Sequence, residues 1–124
     1  MKKRTVVITE DIMEARLIAL RKWADHLSEE TERIFRKYED PSNLSAWDFR
    51  KLVKLSRSRK LMSTYKKCEF SRNSIIRIMK DDVDRRVKEY RHQADILERI
   101  LTEDRDPTRE EIVESAVLVP MFLL

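Results

Sequence analysis

Between Arg50 and Lys67 the chain carries eight basic residues and no acidic one. Lysine and arginine at that density do the chemistry of polyanion capture. Each ammonium or guanidinium that settles on a phosphate displaces a condensed counterion, and the entropy of the released salt drives binding. The formal net charge of all 124 residues is only +4, so the positive field is concentrated in this one segment. Arg50, Lys54, Arg57, Arg59, Lys60, Lys66 and Lys67 are the candidate contacts to nucleic acid or to an acidic partner. Tyr65 and the hydroxyls of Ser56, Ser58, Ser63 and Thr64 add capacity for phosphate hydrogen bonds. The competing account is a basic helix packed between acidic helix faces, its cations spent on ion pairs within or between subunits. No helix-turn-helix, zinc or homeodomain pattern accompanies the segment, so sequence-specific reading is not expected.

Other side chains offer less. His26 and His92 lie on charged faces of different segments, Cys68 is the only cysteine, and the chain has no glycine from which to build a phosphate-cradling loop. The carboxylates of Glu29, Glu30 and Glu32, and of Asp81, Asp82 and Asp84, come without a histidine three or four residues farther along the chain. Pairing with Arg33, Arg85 and Arg86 explains both clusters better than a metal does. The expectation is a non-enzymatic protein with no cofactor and no metal.

The elements that must position the basic segment are helical. Proline occurs only at 41, 107 and 120, and charged residues make up 40% of the chain, a composition that favours long helices over tight turns or sheet. One domain is expected at this length, divided into an N-terminal arm over 1–8, a helical bundle over 9–104, and a short helix with an apolar tail over 106–124. A lone cysteine suits a reducing, cytoplasmic setting, and no stretch approaches a membrane-spanning length. Asparagine and glutamine are nearly missing, which resembles thermophile usage.

Thr9 with Glu10 and Asp11 predicts the start of a first helix, stapled by Ile8 on Met13. Its seam runs Met13, Leu17, Leu20, Ala24, Leu27, Thr31, Ile34, Tyr38, alternating four and three residues, and it ends near Asp40-Pro41. Ser45 and Asp48 open a second helix on which Phe49, Leu52, Val53 and Leu55 share one arc, while Arg50, Lys51, Lys54 and Arg57 share the other. Farther on Leu61, Met62, Tyr65 and Cys68 project where the cations did. Either the helix bends near Ser56 to Ser58 or it is gripped from two sides. A third helix starts between Ser71 and Ser74 and runs to about Thr102, with Ile76, Met79, Val83, Val87, Tyr90, Ala94, Leu97 and Leu101 in its seam. Thr108 and Glu111 form a capping box for a short helix over about 108–118.

The fold class expected is therefore all-α, an elongated bundle of three long helices with a short C-terminal helix and an apolar tail. The third helix carries Ile75, Ile78, Ile96 and Ile100 beyond its seam, more apolar surface than one neighbour covers. A subunit interface through Leu20, Leu27, Ile34, Ile76, Val83, Tyr90 and Leu97 follows as an expectation, with a second copy or a related subunit as partner. Met121, Phe122, Leu123 and Leu124 end the chain on four apolar residues. They either pack back, dock on a partner, or begin a second domain.

At Phe49-Arg50, Leu55, Arg57-Ser58-Arg59-Lys60 and Tyr65 the chain resembles the basic central helix in the helical domain of GINS replication subunits. The order of elements over roughly residues 10–102 is similar as well, including Asp81-Asp82 and Tyr90-Arg91 on the long helix. Members of that family usually carry a small β domain, for which only Val117 to Leu124 remains here. The resemblance implies a scaffold in DNA replication that joins the MCM helicase to a RecJ-like or polymerase partner. A sequence-independent nucleic-acid binder, including a viral one, is the alternative. An inhibitor or adaptor that docks through its apolar tail is a third.

Overall fold

The computed structural model describes residues 8–57, 71–120 and 123. Among them the chain is all-α, with α1 over Glu10–Arg36, a 3-10 turn over Pro41–Asn43, α2 over Ala46–Ser56, α3 over Arg72–Thr102 and α4 over Arg109–Glu114. The arm before residue 8, the basic residues Arg59, Lys60, Lys66 and Lys67, the later apolar arc over 61–68, and Met121, Phe122 and Leu124 lie outside the described residues. No described helix is long and apolar enough to cross a membrane.

Each helix starts where a side-chain oxygen can accept from an amide that the first turn leaves unpaired. Ile12 N donates to Thr9 Oγ1 at 3.3 Å, Asp48 N to Ser45 Oγ at 3.1 Å, and Ser74 N to Ser71 Oγ at 3.2 Å. At α4 Thr108 and Glu111 complete both halves of the capping box. Helix ends are less usual. With no glycine to take the left-handed backbone, the chain places Arg57 after α2, Asp104 after α3 and Ala116 after α4 at φ near 50°, namely 55°, 49° and 51°. At Arg57 the amide turns back to the carbonyls of Lys54 and Val53, and α2 stops after 11 residues. The middle element of the expected three long helices is thus short as far as it is described, and it breaks within the Ser56–Ser58 stretch where the apolar arc jumps. The last helix is also shorter than 108–118, because the left-handed Ala116 ends it and the Arg16 guanidinium, 2.6 Å away, takes the Ala116 carbonyl.

Two compact units share the chain, Met1–Trp23 with Glu89–Leu124, and Ala24–Lys88, and α1 and α3 each contribute to both. In Ala24–Lys88 a core of Ile34, Leu44, Leu52, Ile75, Ile76 and Met79 is flanked by Phe35, Tyr38, Phe49, Val53 and Leu55. The apolar arc of α2 faces this core as its periodicity requires. Arg86 Nη1 donates to the Leu55 carbonyl at 2.7 Å, and Arg72 donates to the Leu44 carbonyl while its guanidinium lies 5.2 Å from the Phe49 ring centroid. In the other unit Leu20, Tyr90, Ala94, Leu97 and Ile100 are buried, and Trp23 meets Tyr90 edge to face at 6.1 Å.

The seven residues expected at a subunit interface, Leu20, Leu27, Ile34, Ile76, Val83, Tyr90 and Leu97, are all buried within the single chain. Each is packed in the interior of the unit to which it belongs. Ile75, Ile96 and Ile100 are buried too, and only Ile78 reaches solvent. The surplus apolar face of α3 has a second neighbour in the same chain. Leu44 and α2 supply it in the unit over Ala24–Lys88, and in the other unit Ser115 and Val117 of the C-terminal segment are also buried.

Candidate functional site

Helix α2 fixes the geometry of the basic face. At 100° per residue, Asp48, Phe49, Leu52, Val53, Leu55 and Ser56 fall on the inner side, while Trp47, Arg50, Lys51 and Lys54 span the outer one. Burial follows this division. Leu52 is fully buried and Asp48 and Ser56 nearly so, whereas Trp47, Arg50, Lys54 and the closing residue Arg57 are exposed. Three of the seven nominated cations, Arg50, Lys54 and Arg57, therefore stand together on one solvent face.

The only acid of the helix is removed from that face. Asp48 turns its carboxylate inward, where it accepts from the Tyr38 hydroxyl, and Lys37 Nζ stands 3.6 Å from Oδ1. The Tyr38 hydrogen bond, aided by Lys37 and Ser45 and opposed by burial, holds the Asp48 carboxyl below the usual aspartate range. Tyr38 also accepts from the Ser45 amide at 3.2 Å, so one phenol ties the end of α1 to the cap of α2. On the other flank Lys51 Nζ lies 2.5 Å from Glu30 Oε2, and Arg33 lies 3.3 Å from the second oxygen of that carboxylate. The contact with Lys51 lowers the Glu30 pKa against the opposing effect of burial, and Arg33 adds to it. Lys51 is thus spent internally in the way the competing account requires. Among the described residues no ion pair holds Arg50 or Lys54.

One member of the face was not anticipated. Trp47 is 74% exposed, three residues before Arg50 and seven before Lys54, so it shares their side of the helix. Counting 100° steps back from Arg50 and Lys54 would have found it in the sequence. The tail is divided: Val117 is buried, while Leu118, Val119 and Leu123 are exposed, as is Val113 on α4. His26 and His92 are both exposed, and no group of three or more His, Cys, Asp or Glu side chains among the described residues could hold a metal. The arrangement offers binding chemistry, a cationic plane with one large aromatic ring in it. No family model, curated protein or solved structure matches this chain.

Proposed function

We propose that this chain binds the phosphate backbone of nucleic acid without reading its sequence, through the outer face of α2 and the basic residues that follow it. The observation that carries this reading is the sorting of charge on α2. Its one carboxylate is buried and paired inward, Lys51 is matched by Glu30, and Arg50 and Lys54 are left on the solvent side with Arg57 beside them. Cations held only to solubilise the helix gain nothing from excluding every acid from their face, whereas a phosphate ligand does. Binding of a labelled oligonucleotide across a salt series is the test. Contact with about five phosphates gives a log–log slope near −4.5 on duplex and about −3.5 on a single strand. Salt-independent binding, or no binding at low salt, would overturn the proposal.

A second reading is favoured by a different surface. Val113, Leu118, Val119 and Leu123 are exposed apolar side chains in the C-terminal segment. They suit a scaffold that meets replication proteins, the role implied by the GINS resemblance, better than the buried seams do. Deleting residues 118–124 should abolish capture of a helicase, RecJ-like or polymerase partner and leave oligonucleotide binding intact. Unchanged capture would remove this reading.

A further inference from the structure

We infer that Trp47 is a stacking platform for an unpaired base, so that the ligand of the α2 face is single-stranded nucleic acid, an inference that rests on the phosphate-binding reading above. The other aromatic rings among the described residues of the same unit have neighbours within the chain. Phe35, Tyr38 and Phe49 pack against the core, with Lys80 5.7 Å from the ring centroid of Phe35 and Arg72 over Phe49. Trp47 stands out at 74% exposure, and among the described residues no cation or second ring covers its face.

Its position gives that exposure a purpose. Trp47 lies at the first turn of α2, about 10 Å along the axis from Lys54, with Arg50 between them. A base stacked on the indole therefore has its flanking phosphates within reach of two long cationic side chains on the same face. Base faces in a duplex are already covered by their neighbours, so only an unpaired base can offer its π-surface to the ring. A bilayer is the poorer fit. An interfacial helix needs its apolar arc, and that of α2 is used up inside the protein, with Leu52 fully buried and Phe49, Val53 and Leu55 packed on the core.

The test measures the affinity of the full chain for oligo(dT) and for a duplex of the same length at one salt concentration, with Trp47→Ala and Trp47→Phe beside the unaltered protein. Loss of one base stack corresponds to roughly 5- to 150-fold weaker single-strand binding for Trp47→Ala. Trp47→Phe should lose less, duplex binding should barely change, and the salt slope should stay the same because no cation is touched. Helix content by circular dichroism should match across the three proteins, since the side chain is on the surface. Duplex bound as tightly as single strand, with Trp47→Ala silent on both, overturns the stacking inference and leaves phosphate binding standing. Failure of both nucleic acids to bind, whether or not vesicles of phosphatidylserine and phosphatidylcholine or an oligoglutamate peptide do, overturns both.

Discussion

Removing Arg50 and Lys54 together isolates the charge of the α2 face from everything else the protein does. Both side chains are exposed and neither is held by an ion pair among the described residues, so Arg50→Ala/Lys54→Ala should leave the fold intact. Each lost phosphate contact reduces the single-strand salt slope by about 0.7, so the double variant should flatten it by about 1.4. Referred to ~1 M salt, where the electrostatic contribution vanishes, the same two contacts amount to roughly a 15-fold loss of affinity at ~0.15 M. The matching control is Arg36→Ala/Arg85→Ala, which removes the same net charge from cations already engaged by Glu32 at 3.3 Å and Asp82 at 3.1 Å. Fluorescence anisotropy with labelled oligonucleotide at five or six salt concentrations reads both quantities. An unchanged slope for the α2 pair, or an equal change for the control pair, would refute a localised interface and leave only diffuse attraction by net charge.

Acid should loosen the attachment of α2. The folded Asp48 and Glu30 carboxyls both titrate below their free values, so the stability they add is present above a pKa of about 4 and is lost as pH falls through the folded values. Unfolding by urea should therefore become easier between about pH 5 and pH 3, and Asp48→Asn should remove part of that dependence. Leu52→Ala, at a fully buried core position, should cost about 2–5 kcal/mol by denaturant titration, far more than any change on the opposite face of the same helix. Because the seams are filled within one chain, light scattering at micromolar concentration should return a mass of 15.0 kDa. A stable dimer would place an interface on the exposed apolar residues.

Much of the fold was legible in the sequence because its punctuation is local. Thr9, Ser45, Ser71 and Thr108 each announce a helix start through a hydroxyl that can accept from the first turn, and all four do so. The seams were legible because one face of a helix repeats every three or four residues. Which surface fills a seam is a tertiary fact. Ile75 and its neighbours on α3 looked like a claim on a second subunit, yet Leu44 and α2 answer it from the same chain. Asp48 read as part of the start of α2, and its backbone amide does serve the cap. Only packing could reveal that its carboxylate turns to Tyr38. Trp47 was within reach of the same periodicity, which places it between the cations of α2, and its exposure follows from that position.

The three left-handed helix ends have a practical outcome. A side chain at such a backbone angle crowds its own carbonyl, at a cost of roughly 1–2 kcal/mol that glycine avoids. At Ala116 no charge or proposed contact depends on the methyl group, so Ala116→Gly should raise the melting temperature, as few glycine substitutions do. The same exchange at Arg57 would trade a cation of the proposed binding face for relief of backbone strain. The molecule holds untapped thermal reserve at one terminus and a conflict between durability and affinity at another.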